Sequence, residues 1–410
     1  MKKYFILAAL VAVSATACFA QKSYVRKAKD LALSPEKPDF VAARATIKSA
    51  LEDPTTKDLA ETWYVAGLIG YQENKNEVML LQLGKGGKDN IKRGKMVIES
   101  YDYWLVADSL AQIPTYDKKG KAKYDTKTPK LVASGMLDYY RNFELINYAI
   151  ETFNAHSYTE AYGAFRRYFA IPELRMMQDK KMQEQLVKNE DYYTYKYYMG
   201  MAAYNAEKYD AGLAIFESML DNAEHGVNAG QYIYQTYINI GDSVKANEAL
   251  DRCIRRFPNE PWFIQNRINN LVNSGQMNSA ITYLEHAIQA DPQVQYFISK
   301  GSILNMLKRY EEAIATYESA LQIDPNNAAV YENYGFVYND MANNLMDEAA
   351  YLSGKEYDAA RADSDQLFRT ALPYFEKAYE LAPDNMDYRR NLRSLYYRLQ
   401  MMDKYNAIGQ

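Results

Sequence analysis

The side chains that most often carry catalysis or bind metals are few in this 410-residue sequence, and they stand far apart. None of the three histidines, His156, His225 and His286, has a second His, a Cys or a pair of carboxylates at the spacing of a metal site. No serine stands beside a histidine in a nucleophile-elbow motif. We therefore expect a protein that is not an enzyme and that needs no metal or cofactor.

A glycine-rich segment, GKGGK at residues 84–88, resembles a phosphate-binding loop in composition only. It lacks a preceding strand and the order G-x-x-x-x-G-K-[ST] that lets backbone N–H groups surround phosphates. The charge balance also disfavours nucleic acid, because 48 Lys and Arg against 52 Asp and Glu give a formal net charge of −4. A nucleic-acid-binding protein needs a basic surface that displaces counterions. We predict neither nucleotide nor nucleic acid as a ligand.

Small and large residues alternate through residues 294–327 in the manner of one helix–turn–helix unit that a proline closes. The small residues are Gly301, Ala313 and Ala320, the large ones are Phe297, Leu304 and Tyr317, and the proline is Pro325. This order resembles the tetratricopeptide repeat (TPR), whose period is about 34 residues. Glycine and alanine at these positions let the two helices approach closely, and a bulky residue would push them apart.

The unit recurs upstream in one register. Ala280, Leu284, Ala287 and Pro292 precede the corresponding residues by 33 positions, and Ala246, Leu250, Cys253 and Pro258 lie a further 34 positions upstream. Cys253 occupies a small position, which predicts a packed, unreactive thiol. Looser copies precede these units. In one of them the second helix around Ala161 and Phe165 is expected to pair with a first helix at residues 132–153.

The resemblance implies an all-α, TPR-like α-solenoid, a right-handed superhelix of antiparallel helix pairs with two insertions. The predicted segments are a signal peptide (1–20), divergent repeats (21–175) with a basic insertion (about 72–130), regular repeats (190–327), a repeat with an acidic helical-hairpin insertion (328–385, insertion about 340–365), and a closing helix (386–410).

The acidic insertion lies at the tip of one hairpin. From Gly335 to Ala371 the chain runs 36 residues, whereas from Gly301 to Ala313 it runs 12. The added residues contain no proline and are rich in Ala, Leu, Asp and Glu, which favours helix. We expect both helices to be lengthened by about three turns each, and a disordered acidic loop is the alternative.

The basic insertion contains six lysines in the thirteen residues from Lys118 to Lys130, with turn residues Gly120 and Pro129. A short hairpin or an ordered loop is expected. Its lysines are candidates for contact with an anionic surface, at up to about 1 kcal/mol for each lysine: Lys118, Lys119, Lys121 and Lys123. The sequence favours a plain solvated loop over this contact.

The N-terminus has the pattern of a secretory signal peptide, with Lys2 and Lys3, an apolar run over residues 4–13, and then small residues. Cleavage near Ala20 would leave a periplasmic or secreted protein and change the formal charge from −4 to −6, because two lysines leave. The alternative is a lipoprotein acylated at Cys18. No later run approaches the twenty apolar residues of a membrane span.

The TPR resemblance also implies a concave groove, lined by residues two, five, nine and twelve of each first helix. The residues carried over in this way are Tyr197, Tyr204, Gln231, Gln235, Trp262, Gln265, Asn269, Gln295, Ser302, Asn305, Glu332, Phe336 and Asn339. This lining is rich in amides and aromatics and nearly free of charge. The family's mode of gripping a chaperone's C-terminal carboxylate does not fit, because Gln265 and Ala329 stand where lysines belong.

These features favour a non-catalytic scaffold that binds an extended peptide or a partner protein in a bacterial cell envelope. The signal peptide and the C-terminal run LRSLYYRLQMMDKYNAIGQ are similar to those of exported TPR proteins common in Bacteroidota. The alternative is a carbohydrate-binding surface lipoprotein that resembles the TPR-based starch-utilisation type, which would need an acylated Cys18 and an exposed aromatic platform.

Overall fold

The structure, a computed structural model, describes residues 22–86, 89–258 and 260–409. The predicted signal peptide, with Cys18 and Ala20, lies outside these residues, as do Gly87 and Lys88 of the glycine-rich segment. The described chain divides into two compact units between Ala246 and Asn247.

The first unit is a succession of helices with one short β-hairpin. Its elements are α1 (22–32), α2 (Phe40–Glu52), α3 (Ala60–Gln82), α4 (Asn90–Ala111), β1 (Thr115–Tyr116), β2 (Ala122–Lys123), α5 (Lys127–Arg141), α6 (Glu144–Asn154), α7 (Tyr158–Ala170), α8 (Lys180–Gln183), α9 (Tyr192–Asn205), α10 (Tyr209–Glu217) and α11 (Gly226–Ile240), followed by α12 (Ser243–Arg256), within which the division falls. Short 3₁₀ turns, Ile171–Glu173 and Arg175–Met177, follow α7.

The second unit continues with antiparallel helix pairs. Its helices are α13 (Pro261–Asn273), α14 (Met277–Ala290), α15 (Val294–Met306), α16 (Tyr310–Ile323), α17 (Ala328–Glu348), α18 (Gly354–Leu381), α19 (Met386–Arg398) and α20 (Met402–Ile408), with a 3₁₀ turn, Ala349–Tyr351, after α17. These elements confirm the predicted all-α solenoid of TPR type. No helix in the described ranges combines the length and apolar character that a bilayer crossing requires.

Within a hairpin, a glycine on the first helix faces an aromatic ring on the second. A Cβ atom on Gly200 would lie 2.6 Å from Phe216, and one on Gly301 would overlap the buried ring of Tyr317. The small residues on the second helices, such as Ala313 and Ala320, are fully buried. These contacts confirm the predicted role of the small residues, because a larger side chain cannot occupy space that a neighbouring ring already fills.

The acidic insertion forms helix, as predicted, but its two helices are lengthened unequally. α17 has 21 residues against 13 in α15, and α18 has 28 against 14 in α16. The chain reverses at Ser353 and Gly354, where Gly354 adopts a left-handed backbone (φ +57°), so most of the added length falls on α18. The extension is packed, since Ser364 donates a buried hydrogen bond of 3.0 Å to the Ala342 carbonyl and Phe368 is fully buried.

The region expected to hold a basic insertion, about 72–130, is mostly helical. The segment YQENKNEVMLLQ contains no glycine or proline, so α3 continues through it to Gln82, and α4 then pairs with α3. Gly67 lies against Trp104, which makes α3 and α4 another glycine–aromatic hairpin. The lysine-rich part forms the predicted hairpin, with Thr115 paired to Lys123 and Tyr116 to Ala122.

Two segments expected as single helices are each broken in two. Residues 132–153 divide between α5 and α6 at Phe143, whose φ is 56°. The C-terminal closing segment divides into α19 and α20 at Gln400, whose φ is 57°. A left-handed backbone ends a right-handed helix, and a residue other than glycine in this conformation gives little signal in the sequence.

We expect Gly301→Ala to lower the free energy of unfolding by about 1–3 kcal/mol, although alanine favours helix, because the new methyl group overlaps Tyr317. The matched control is Gly163→Ala on α7, where a Cβ meets only the flexible end of Arg167 at 3.4 Å. The control should change stability by less than about 1 kcal/mol. Urea unfolding followed by circular dichroism measures both, and equal effects would contradict the packing described.

Candidate binding surface on the first helices

The predicted groove residues of the first unit lie among aromatic rings on α9 and α11. The ring of Tyr197 stacks on that of His225, with centroids 4.8 Å apart and an interplanar angle of 5°. His225 is buried, and its Nε2 lies 3.2 Å from the Thr194 hydroxyl. Burial raises the pKa of Tyr197 to about 12. The structural role of His225 was not predicted from the sequence.

Tyr232, also missed, lies at the centre of this cluster. Its ring stacks on Phe216 at 4.8 Å and 9°, and it contacts Tyr204 at 5.1 Å and Tyr197 at 6.0 Å. Three half-exposed tyrosines thus form one continuous patch across the two helices.

An amide chain extends the patch along α11. Gln235 donates a hydrogen bond of 3.1 Å to Asn239, which in turn donates one of 2.9 Å to the Tyr204 hydroxyl. Gln231 is half-buried on the same helix, one residue before Tyr232. Two of the predicted groove residues, Tyr204 and Gln235, therefore belong to one hydrogen-bonded chain.

On α13 and α15 of the second unit, the predicted amides are partly exposed. Gln265 donates a hydrogen bond of 3.1 Å to the side-chain oxygen of Asn269, and Ser299 on α15 donates one of 3.5 Å to Gln265. Asn269 and Gln295 are exposed, whereas Trp262 is half-buried. This part of the surface offers amide groups to a ligand.

On α15 and α17, most of the predicted lining residues bridge neighbouring helices. Ser302 donates to Asn333 at 3.2 Å, and Asn305 donates to Asp340 at 2.6 Å. Phe336 packs edge-on against Phe375 of α18, with centroids 5.1 Å apart. Asn339 is half-buried on the same helix. Ser302 and Asn305 therefore link successive first helices, whereas Phe336 packs within its own hairpin.

Glu332 on α17 is half-buried and accepts a hydrogen bond of 2.7 Å from Asn391 on α19. Burial raises the pKa of Glu332, and the bond from Asn391 opposes that shift. The carboxylate thus links α17 to the closing helix α19.

The bridges follow one register of the repeat. Residue five of one first helix contacts residue six of the next in the pairs Tyr197–Tyr232, Gln265–Ser299 and Glu332–Asn391. Residue twelve contacts residue thirteen in the pairs Tyr204–Asn239 and Asn305–Asp340. Residue six is not among the predicted lining positions, although polar or aromatic side chains recur there and could have identified it.

The polar groups of this surface are mainly side-chain amides and phenol hydroxyls. Among the residues that the structure describes, no group of His, Cys, Asp and Glu side chains is arranged to hold a metal ion. Cys253 is buried, as its small position predicted. Side-chain amides and phenol hydroxyls can both donate and accept hydrogen bonds, which suits an uncharged polar ligand such as a peptide backbone.

The β-hairpin of the first unit carries a separate charged surface. Lys118, Lys119, Lys121 and Lys123 are all exposed. The same hairpin region exposes large aromatic side chains, with 70% of Tyr116 and 58% of Tyr124 accessible. Asp117 fixes the turn by accepting hydrogen bonds from the backbone N–H groups of Lys119 and Lys121. The lysines therefore lie on a turn whose backbone is fixed by hydrogen bonds.

Several curated proteins are similar to parts of this chain, and three of them differ in identity and in the share of each chain that is covered. It is 25% identical over 253 residues to the DnaJ homolog subfamily C member 7 homolog of Schizosaccharomyces pombe, covering 52% of this chain and 53% of that protein. It is 34% identical over 83 residues to the small glutamine-rich tetratricopeptide repeat-containing protein 2 of Mycosarcoma maydis (20% and 24%), and 32% over 84 residues to the Hsp70-Hsp90 organizing protein of Triticum aestivum (20% and 14%). The chain thus spans about half of the length of the first of these relatives, and a quarter or less of the length of the other two.

Among solved structures, MamA of AMB-1 matches with 21% identity and a TM-score of 0.30, covering 47% of this chain and 99% of that one. YrrB, a TPR protein with an unusual peptide-binding site, matches with 17% identity and a TM-score of 0.30, covering 50% and 93%.

Two sequence-family models match the second unit. Residues 269–294 match the tetratricopeptide repeat, and residues 301–341 match the TPR repeat. The first segment includes α14 with its small residue Ala280, and the second includes α16 with Ala313 and Ala320 and begins at Gly301. The second unit therefore contains tetratricopeptide repeats.

Proposed function

We propose that this protein is a non-catalytic scaffold that binds an extended peptide or a partner protein on the surface of its first helices. The observation that carries the proposal is the pair of exposed amides, Asn269 on α13 and Gln295 on α15. The Asn269 oxygen accepts the bond from Gln265, and its amide nitrogen carries two further donors. Side-chain amides placed in this way can pair with the N–H and C=O groups of an extended peptide.

The bridges between first helices support the same function. Because Gln265 is linked to Ser299 and Ser302 to Asn333, the helices that carry the surface are held in one arrangement before a ligand arrives. A pre-organised surface loses less conformational entropy on binding. The surface is also nearly uncharged, so the proposed ligand is recognised by its backbone and apolar side chains.

Carbohydrate binding is the weaker candidate. A sugar platform needs an open aromatic face, and in the tyrosine patch one face of Tyr197 is covered by His225 and one face of Tyr232 by Phe216. The rings therefore contribute to packing within the protein. Retention of a glycan by the purified protein would favour this candidate over the peptide.

The double substitution Asn269→Ala and Gln295→Ala should weaken partner binding at least tenfold and leave thermal stability within about 0.5 kcal/mol of the wild type, because both side chains are exposed. The partner is first captured from envelope extracts with the wild-type chain, and the purified partner is then titrated by calorimetry. Gln289→Ala on the second helix α14, also an exposed amide, is the matched control. Unchanged affinity in the double variant would refute the proposed surface.

We also propose that the protein works in the bacterial cell envelope after its signal peptide is removed. The apolar run at residues 4–13 and the small residues before Gln21 support export. Mass spectrometry of the protein from its native envelope should find a mature chain that starts at Gln21. An acylated Cys18 at the N-terminus would instead identify a lipoprotein, and an intact Met1 would refute export.

The hairpin lysines are proposed to contact an anionic surface such as lipid headgroups. Lys118→Gln with Lys119→Gln should weaken co-sedimentation with anionic vesicles by about tenfold, since each lysine near such a surface contributes up to about 1 kcal/mol. Lys180→Gln with Lys181→Gln, two exposed lysines at α8, is the matched control. The binding should fall with added salt. Equal binding to zwitterionic vesicles would contradict the electrostatic contact.

A further inference from the structure

A basic cleft lies between the last two helices of the second unit. It has a volume of about 460 Å³, and its lining includes three arginines and large side chains: Met386, Arg389, Arg390, Arg393, Tyr397 and Tyr405. The guanidinium of Arg393 lies 4.2 Å from the ring centre of Tyr405. Met386 and Tyr397 expose 63% and 59% of their surface. The cleft thus combines positive charge with accessible apolar surface.

The tip of the α17–α18 hairpin carries the opposite charge and also exposes apolar side chains. Tyr351 is 95% exposed and Leu352 is 43% exposed, at the turn between the two helices. Four exposed carboxylates flank these residues: Asp347, Glu348, Glu356 and Asp358. Between residues 347 and 358 the only basic side chain is that of Lys355. An apolar pair framed by acidic side chains is complementary in charge and in polarity to the cleft.

The tip cannot reach the cleft of its own chain. The helix α18 is continuous over 28 residues, from the tip at Gly354 to Leu381. The helix α19 packs beside its C-terminal half, where the Tyr396 hydroxyl donates a hydrogen bond of 2.7 Å to Glu376. At 1.5 Å per residue, Glu376 lies about 33 Å from Gly354 along the helix. The two surfaces can therefore meet only between different molecules.

We propose that the cleft binds the hairpin tip of a second copy of this chain. Tyr351 and Leu352 lie against Met386 and Tyr397, and the flanking carboxylates pair with the arginines. Arginine matches carboxylates in a planar, two-bonded geometry, which favours it over lysine in such a role.

The contact joins different surfaces of the two molecules, head to tail. Each bound copy leaves one tip and one cleft open at the ends of the assembly, so further copies can add. The expected product is a concentration-dependent series of oligomers.

Sedimentation velocity on the full-length mature chain tests this contact. The wild type should show oligomers that grow with concentration and that dissociate when salt is raised, since the contact includes ion pairs. The tip variant Tyr351→Ser with Leu352→Ser and the cleft variant Arg390→Glu with Arg393→Glu should each lose self-association at least tenfold. Because Arg393 also packs on Tyr405, Arg390→Glu alone is a second cleft variant, which alters only an exposed pair with Asp387.

Mixing the two variants is the decisive step. The tip variant retains an intact cleft and the cleft variant retains an intact tip, so an equimolar mixture should form dimers and nothing larger. Arg361→Glu, an exposed arginine on α18 outside both surfaces, is the matched control and should associate as the wild type does. A wild type that stays monomeric at all concentrations would overturn the proposal. So would variants that associate normally, or a mixture that stays monomeric.

Discussion

The contact between a glycine on the first helix of a hairpin and an aromatic ring on the second is the constraint on which this structure depends. In two regular hairpins the pairs are Gly200–Phe216 and Gly301–Tyr317, with the same separation in sequence. The ring fills the space that a side chain on the glycine would need, so the helix axes approach closely along one line. The alanine positions can then pack against the neighbouring helix because the hairpin has a fixed width.

The same contact persists where the hairpins are lengthened. Gly335 still faces Phe375, although the chain between them is longer, and Gly67 faces Trp104 across the long pair α3 and α4. Additional residues extend the helices beyond the contact, toward the tip, and leave the base of the hairpin unchanged. A repeat can therefore acquire a projecting element without altering its packing against its neighbours. The acidic tip and Gly84, which follows α3, both occupy such positions.

Periodicity made much of the fold predictable, and single-residue geometry made the rest unpredictable. The offsets of 33 and 34 residues among Ala246, Ala280 and Ala313 identified the regular helix pairs, because a small residue is required once in each repeat. The breaks at Phe143 and Gln400 were not predictable, since both residues adopt a left-handed backbone without being glycine. At Gln400 the backbone closes on itself, since its N–H donates to the Tyr397 carbonyl at 3.1 Å and the Met401 N–H donates to the Tyr396 carbonyl at 2.9 Å.

The helices that carry the candidate surface were predictable, and the contacts of its side chains were less so. The register placed Gln265, Asn269 and Ser302 on first helices, as the family resemblance implied. It could not show that Ser302 is bonded to Asn333, because a bridge depends on the offset between two helices that are 34 residues apart in sequence. His225 stacks on Tyr197 from just before α11, a position outside the repeat pattern. The residues that carry binding must therefore be chosen from those that the bridges leave exposed.

The tryptophans allow the fluorescence of each unit to be distinguished. The sequence has three, and Trp104 is fully buried in the first unit, between Gly67 and Gly135, with its indole N–H donating to the Tyr64 carbonyl at 3.2 Å. Trp262 belongs to the second unit and is half-buried. A buried indole emits at shorter wavelength than a hydrated one. Replacing Trp63 with phenylalanine would leave one tryptophan in each unit. The melting of the two halves could then be followed separately in a single intact chain.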